Sequence, residues 1–147
     1  SNGFDALIAN PFVGYRDGIQ DLLVKSHRMG KGVILLVYMS HAGAKEGYGM
    51  KVGGSPLYMI FARRAREWGA DGIVVSAKSP SVIKSVRSLV GDDMVMMSPG
   101  VGVQGGDAKR AVKAGSDYVI VGRTLIGAKD PVKTADDMNR GLGALRG

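Results

Sequence analysis

The most informative pattern in this sequence is the hexapeptide Gly69-Ala70-Asp71-Gly72-Ile73-Val74. The same arrangement, Gly-x-Asp-x followed by apolar residues, recurs at residues 3–8 and 115–120. A glycine at the end of a helix can adopt the left-handed conformation that terminates the helix. The short run that follows is apolar on both faces, which is typical of a parallel strand buried between two layers. The pattern therefore predicts three places where a helix is followed by a buried parallel strand.

Two further apolar runs, residues 32–37 and 94–97, also predict buried strands. Between the strands, apolar residues recur at helical spacing, and several of these stretches begin with Pro or Ser, which are helix-start signals. Helices are predicted before Gly30, between Pro56 and Gly69, after Ser79, over residues 107–114 and over residues 130–145. Strands and helices thus alternate, and this alternation requires a parallel sheet with helical crossovers.

Five parallel strands fit two α/β architectures. One is an open, doubly wound sheet with helices on both faces, and the other is five consecutive units of a (β/α)8 TIM barrel. A complete barrel normally needs about 250 residues, whereas this chain has 147. Because the first predicted strand stands at the very start of the sequence, a barrel without its N-terminal portion is favoured. We therefore expect residues 1–147 to be the C-terminal portion of a single barrel domain.

The composition limits the classes of function. Hydrophobic residues make up 45% of the chain and charged residues 22%, which is typical of a soluble globular protein. The absence of cysteine excludes disulfides and thiolate metal sites and permits a reducing, cytoplasmic location. The longest apolar run is far shorter than the roughly 20 residues of a membrane helix. The net charge of +7 is spread along the helices without interleaved aromatic residues, so we expect neither a membrane nor a nucleic acid as partner.

A glycine-rich segment follows the fourth predicted strand and reads Ser98-Pro99-Gly100-Val101-Gly102-Val103-Gln104-Gly105-Gly106-Asp107. In a barrel this position is the C-terminal face, where ligands bind. The glycines let the backbone approach a ligand and expose N–H groups, Gln104 adds an amide donor, and the next helix directs its N-terminus towards the loop. By itself, the segment favours a flexible loop that binds nothing.

The last predicted strand ends in Gly122-Arg123-Thr124. Barrels frequently bind phosphate with the loops that follow their last two strands. An arginine guanidinium presents a planar set of donors that matches phosphate oxygens. The two loops together therefore predict a phosphate site, and its expected loop residues are Gly102, Gly105 and Gly106.

The two loops, residues 98–106 and 120–123, resemble the C-terminal signature of the orotidine 5′-phosphate decarboxylase family, and its archaeal members most of all. Residues 38–44 resemble the family's fifth-strand loop, and residues 5–12 resemble its fourth strand and the turn after it. The resemblance covers essentially the whole chain as strands four to eight. It implies a TIM barrel of the ribulose-phosphate-binding type, with only the last five βα units in this chain.

The resemblance also implies roles for individual residues. Ser40 is expected to contact the pyrimidine ring, and Gln104 to reach the substrate phosphate from a loop that closes over it. Arg123 and the backbone of Gly122 are expected to hold the phosphate. Two further residues are expected to line the pyrimidine side of the glycine-rich loop, Pro99 and Val101.

The sequence departs from the family in its catalytic residues. The family's chemistry depends on a charged Asp/Lys network with the core Asp-x-Lys-x-x-Asp at the end of the third strand, and this network is absent from the sequence. The lysine that would protonate the vinyl carbanion is missing, as is the carboxylate that would stress the substrate's own carboxylate. The segment most similar to this motif, residues 130–136, lies on the final predicted helix and is expected to be solvated surface. We therefore expect no catalytic residue in this chain.

The implied reaction converts orotidine 5′-monophosphate to uridine 5′-monophosphate in pyrimidine biosynthesis, without a metal or an organic cofactor. One alternative is a sugar-phosphate barrel enzyme, either a 3-keto-gulonate-phosphate decarboxylase or a hexulose-phosphate synthase, although Ser40 and Gln104 favour the pyrimidine enzyme. Another is a non-catalytic phosphate-binding module. His27 and His41 alone make no metal cluster. Because the first and last strands leave apolar edges, we expect association with the missing N-terminal half or with further copies, for example as a homodimer.

Overall fold

The computed structural model describes residues 3–145, which form a parallel sheet, a small hairpin and a set of helices. In chain order the strands are β1 (Ala6–Ala9), β2 (Gly32–Tyr38), β3 (Lys51–Val52), β4 (Ser55–Pro56), β5 (Gly72–Val75), β6 (Val95–Pro99) and β7 (Tyr118–Ile120). The parallel sheet contains five of them in the order β1-β2-β5-β6-β7, while β3 and β4 pair antiparallel. All five predicted strands are confirmed, with small differences at their ends.

The helices alternate with the strands of the large sheet. They are α1 (Gln20–Arg28), α2 (Ala44–Gly47), α3 (Leu57–Trp68), α4 (Pro80–Val90), α5 (Ala108–Lys113), α6 (Arg123–Ile126) and α7 (Pro131–Gly143). The five longer helices are those predicted, and Gly69 ends α3 in the expected left-handed conformation at φ 75°. Within residues 3–145, every helix is too short or too polar to span a bilayer.

The strand order distinguishes the two candidate architectures. Neighbouring strands of the large sheet follow one another along the chain, all parallel, whereas a doubly wound sheet reverses its order at one point. Side chains of alternate strand residues, such as Val33 and Ile73, share one core cluster with Phe61 of α3 and Ile83 of α4. The helices therefore cover one face of the sheet, as in five consecutive βα units of a barrel. The doubly wound alternative is wrong.

The other face of the sheet would be the interior of a closed barrel. Ile8 on β1 and Ile120 on β7 are exposed there, and both strands lie at the edges of the sheet in the described part of the chain. Because the five strands of the large sheet are parallel, their carboxyl ends lie along one rim of the sheet. The loops that follow β2, β6 and β7 therefore meet at this rim.

Candidate functional site

The candidate site lies where β6 and β7 end side by side. Pro99, the last residue of β6, pairs with Ile120, the last residue of β7. The glycine-rich loop begins directly after Pro99, and the Gly122-Arg123 turn begins two residues after Ile120. The sheet register thus brings together two loops that are about twenty residues apart in sequence, as in the phosphate sites of barrels.

The glycine-rich loop is a compact, hydrogen-bonded turn. Gly100, Gly102 and Gly105 have φ of 92°, 75° and 87°, a region that residues with a side chain seldom adopt. The Gly102 amide donates to the Gly106 carbonyl and the Gly106 amide to the Gly100 carbonyl, each at 2.9 Å. A Cβ added at Gly106 would overlap the carbonyl oxygen of Gly100. These glycines are therefore required by backbone geometry, which argues against a flexible loop.

Thr124 joins the two loops. The amide of Val103 donates to Thr124 Oγ1 at 3.2 Å, and a Cβ at Gly102 would overlap the same hydroxyl. The sequence interpretation did not select Thr124, because a threonine in the first turn of a helix ordinarily indicates local capping. The feature of the sequence that could have identified Thr124 is its position directly after Gly122-Arg123.

The loop after β2 reaches the glycine-rich loop through a side-chain contact. Ser40 Oγ donates to Gln104 Oε1 at 3.4 Å, a long hydrogen bond. A Cβ at Gly100 would lie only 2.9 Å from the Cβ of Ser40, so the two loops touch at that point. Because the carbonyl oxygen of Gln104 faces Ser40, its Nε2 donors are oriented by this contact as well.

A pocket of about 190 Å³ opens between the two loops. Its lining combines apolar side chains with backbone and donor groups, and consists of Pro99, Gly100, Val101, Val103, Gln104, Ile120, Gly122 and Arg123. Five of the six predicted substrate-binding residues thus line one pocket, and the sixth, Ser40, touches it through Gln104. Gly102, Gly105 and Gly106 shape the loop around it. The structure brings these residues together, while their roles stay predictions.

The N-terminus of α5 is occupied by the chain's own carboxylate. Asp107 is the N-cap of α5, and its Oδ1 accepts the amide of Arg110 at 3.0 Å. A ligand anion would compete with this carboxylate for the amides of the first turn. The helix terminus therefore contributes less to anion binding than the sequence suggested. The amides of Gly102, Gly105 and Gly106 also donate within the loop instead of being exposed, so the side chains of Arg123 and Gln104 are the main candidate donors on the pocket.

The remaining candidate residues have structural or surface positions. His27 Nε2 contacts Asp71 Oδ2 at 2.9 Å, whereas His41 is exposed in the loop after β2. Across residues 3–145, His, Asp and Glu side chains form no cluster of three that could hold a metal ion. Lys133 pairs with Asp137 at 2.7 Å on exposed α7, as expected of a solvated helix surface.

Comparison with known proteins identifies the same family. The model of the Orotidine 5′-phosphate decarboxylase / HUMPS family matches residues 1–138. An orotidine 5′-phosphate decarboxylase from Methanosarcina mazei is 36% identical over 146 residues, which cover 99% of this chain and 63% of the relative. The decarboxylase from Aeropyrum pernix is 40% identical over 133 residues, covering 90% of this chain and 52% of the relative. The chain thus spans between about half and three fifths of these relatives.

Solved structures agree with the sequence relatives. Leishmania donovani UMP synthase superposes with a TM-score of 0.86 at 30% identity, covering 97% of this chain and 33% of that protein. The orotidine 5′-phosphate decarboxylase of Pyrococcus horikoshii superposes with a TM-score of 0.76 at 34% identity, covering 99% of this chain and 62% of that protein.

Proposed function

The chain belongs to the orotidine 5′-phosphate decarboxylase / HUMPS family, and from this premise we propose that it supplies the phosphate- and pyrimidine-binding loops of an orotidine 5′-phosphate decarboxylase. The proposed reaction releases CO2 from orotidine 5′-monophosphate and leaves uridine 5′-monophosphate. The relatives named above carry this activity in their names, and the sugar-phosphate alternatives are not favoured by them. Residues 1–147 are proposed to be the C-terminal portion of one barrel domain.

The observation that carries the proposal is the placement of Arg123 and Gln104 on the same small pocket. A phosphate dianion requires several donors at once, and a guanidinium can supply two parallel N–H groups. The side chain of Gln104 supplies amide hydrogens from the opposite loop, and the Gly122 backbone adds a donor without a side chain in the way. We assign the phosphate to this position.

The pyrimidine is assigned to the side of the pocket nearer β2. Pro99 and Val101 offer apolar surface to a ring face, and Ser40 offers a neutral hydroxyl to a base edge. A serine hydroxyl can donate to the carbonyl oxygens and accept from the N–H group of a pyrimidine edge. The contact between Ser40 and Gln104 would then link recognition of the base to closure on the phosphate.

Catalysis requires residues that this chain does not contain. Loss of CO2 breaks the bond between the pyrimidine ring and its carboxylate, and the carbanion left on the ring must receive a proton. The Asp-x-Lys-x-x-Asp motif that would provide the proton is absent from the sequence. We therefore expect the purified chain to show no decarboxylation above background, and N-terminal barrel units supplied in trans to restore some activity.

The exposed edges of the sheet determine the proposed assembly. β1 and β7 are edge strands rich in apolar residues, and the residues along them include the exposed Leu7 and Ile8. Unpaired edges of this kind invite pairing with another chain, and so large an apolar face is not tolerated by soluble monomers. We infer that the chain associates with N-terminal barrel units, and that the completed barrel forms a homodimer. A cytoplasmic location is proposed because the absence of cysteine suits a reducing compartment.

Isothermal titration of uridine 5′-monophosphate into the chain assembled with N-terminal barrel units tests the site. Arg123→Ala should weaken binding by roughly ten- to hundredfold, the usual loss for a charge-assisted hydrogen bond to phosphate. Arg110→Ala is the matched control, because Arg110 is also an exposed arginine but lies outside the pocket. Equal affinity in Arg123→Ala and Arg110→Ala would remove the phosphate assignment.

A further inference from the structure

The Gly-x-Asp pattern has a structural role that appears at two strand junctions. At the junction of β5 with β2, the amide of Asp71 donates to the carbonyl of Val33 at 2.9 Å. In return, the carboxylate of Asp71 accepts the amide of Val33 at 2.7 Å. One aspartate thus closes two hydrogen bonds around a single residue of the neighbouring strand.

The junction of β7 with β6 repeats this geometry. The amide of Asp117 donates to the carbonyl of Met96 at 2.9 Å, and its carboxylate accepts the amide of Met96 at 2.6 Å. Val33 and Met96 are each the second residue of their strand. In both cases an aspartate lies directly before one strand and bonds to the N–H and C=O of a single residue, the second residue of the neighbouring strand. We call this arrangement the aspartate clamp. It fixes the register of the two strands, because a shifted strand would lose both bonds.

The clamps occur on alternate strands. The aspartate precedes β1, β5 and β7, whereas Lys31 precedes β2 and Met94 precedes β6. The sheet is therefore built from clamped pairs, β2 with β5 and β6 with β7. β1 carries the aspartate of such a pair, but no described residue stands in the receiving position beside it.

The backbone before β1 already has the shape of a clamp. Gly3 has φ 76°, close to the 75° of Gly69 at the equivalent position of the β5 junction. The Asp5 side chain is 97% exposed, compared with 48% for Asp71 and 40% for Asp117. Oδ1 of Asp5 contacts Lys31 Nζ at 3.2 Å on the β2 side of the sheet. Asp5 therefore has the sequence position of both clamps and the preceding glycine conformation of the β5 clamp, whereas Gly115 at the β7 clamp has φ 116°. Its carboxylate would have to turn from Lys31 to the outer edge of β1 to bind a further strand.

We propose that the outer edge of β1 is a binding surface for a parallel β-strand from the N-terminal βα units of a barrel of this family, and that Asp5 clamps the second residue of that strand. The inference rests on the barrel of the proposed function and does not depend on the phosphate site. The relatives extend beyond the matched region, which is their C-terminal part, so they contain strands of this kind. The residue after the clamped one pairs with Ala6, as Ile34 pairs with Gly72 and Met97 with Tyr118.

The two edges of the sheet would bind a further strand in different ways. Docking at β1 sets the register through Asp5, since a clamp acts only towards the preceding strand. The clamp of β7 is already used on Met96, so its outer edge contributes only ladder hydrogen bonds and apolar contacts. Strand docking is consequently more sensitive to Asp5 than to any single side chain at the β7 edge.

Titration with a defined probe tests this assignment. The probe is the N-terminal portion of the Methanosarcina mazei relative that precedes the region matched by this chain. Asp5→Ala should weaken its binding to the 147-residue chain about tenfold or more, because the variant removes a charged acceptor for a backbone amide. Asp92→Ala, which removes an equal charge from an exposed loop, should bind the probe like the unaltered chain.

Hydrogen exchange supplies a second measurement on the same complex. The amide of the probe residue that pairs beside Asp5 should be protected in the complex with the unaltered chain and lose much of that protection with Asp5→Ala. Equal affinity and equal protection for both chains would overturn the clamp, and failure of the probe to bind the unaltered chain would overturn the docking surface. Self-association that Asp5→Ala abolishes would instead assign the edge to a second copy and refute the proposed occupant. No nucleotide is present, so these outcomes are independent of the phosphate site.

Discussion

The two ends of the β6–β7 pair are built by opposite means. At the amino ends of the strands, the connections are made by charged side chains on fixed partners. Arg87 donates to the carbonyls of Gly91, Gly115 and Met94 at 2.7–2.8 Å and to the carboxylate of Asp117 at 2.6 Å. At the carboxyl ends, the glycine-rich loop is held by backbone hydrogen bonds among its own glycines. Uncharged side chains bond it to the neighbouring loops, Thr124 to the turn after β7 and Gln104 to Ser40 after β2.

This difference separates stability from binding. Side chains at the amino ends use their donors and acceptors on the protein itself, so they hold the strands but have little left for a ligand. Glycines at the carboxyl ends bond to one another through the backbone, and because they have no side chains they leave a pocket between the loops, lined by Arg123 and Gln104. In barrels generally, the amino-terminal face serves stability and the carboxyl-terminal face carries ligands. Substitutions at the amino ends should therefore change stability, and substitutions at the carboxyl ends should change ligand affinity.

The largest effect is expected from Arg87→Ala. Its side chain is only 12% exposed, and removing it leaves three carbonyls and the Asp117 carboxylate without their shared donor. We expect the free energy of unfolding to fall by about 3 kcal/mol or more, the scale for removing one partner from a buried charged network. Urea denaturation followed by the fluorescence of Trp68, the single tryptophan of the chain, measures this change.

Arg63→Ala provides the control for Arg87→Ala. Arg63 is an exposed arginine on α3, and its loss should change the free energy of unfolding by less than about 0.5 kcal/mol. If both variants unfold at the same urea concentration, Arg87 does not hold the amino ends of the strands. The stabilising role assigned to the charged side chains there would then be wrong.

A smaller effect is expected from Gly102→Ala at the opposite end. The new Cβ would overlap Thr124 Oγ1 and would sit at φ 75°, so the Thr124 side chain must turn away from Val103 or the two loops must move apart. The strain of such a residue is about 1–3 kcal/mol, and we expect it to appear as a tenfold or greater loss of affinity for uridine 5′-monophosphate in the assembled barrel.

Gly105→Ala separates the steric part of this effect from the backbone part. Gly105 has a similar φ of 87°, but a Cβ there meets nothing within 4 Å. Only the left-handed backbone then carries a cost, of roughly 1–2 kcal/mol, so titration should show a weaker effect than in Gly102→Ala. Equal losses of affinity in the two variants would mean that contact with Thr124 does not shape the pocket.

The sequence predicted the large sheet well because its signals are local. Apolar runs, Gly69 at a helix end and Pro80 at a helix start act within a few residues, and each is found where predicted. The sequence also identified the two loops of the site, since only glycine suits positions such as Gly100. The features that the sequence did not predict have two causes. Thr124 acts through Val103, a partner distant in sequence. The α2 helix and the β3–β4 hairpin are too short to show periodicity.

The Gly-x-Asp pattern shows the same limit within one motif. The glycine could be explained from its own neighbours, because it ends a helix. The aspartate could not, because Asp71 bonds to Val33 and Asp117 to Met96, residues that lie 38 and 21 positions earlier. The repetition was visible in the sequence, but its physical reason needed the register of the sheet.

The smallest effect is expected from the pH dependence of Asp71. Burial alone would raise the pKa of its carboxyl group, but hydrogen bonds from the Val33 amide and from His27 outweigh burial and lower the pKa below its usual value. A lowered folded-state pKa means that the carboxylate stabilises the folded chain fully above its unfolded pKa of about 3.9. This contribution decreases as the pH falls through the lower folded-state value, where both states become protonated. Because the side chain is 48% exposed, the contribution is reduced by solvent screening.

Asp71→Asn tests this account because it keeps an oxygen acceptor for Val33 but removes the charge. We expect the variant to be slightly less stable than the unaltered chain at pH 7, and the difference to shrink below about pH 4, the range in which the carboxylate becomes protonated. Urea midpoints measured from pH 7 to pH 3 give both curves. A constant offset across this range would show that the clamp acts through shape alone, and the charge assigned to Asp71 would then contribute nothing to the amino end of the sheet.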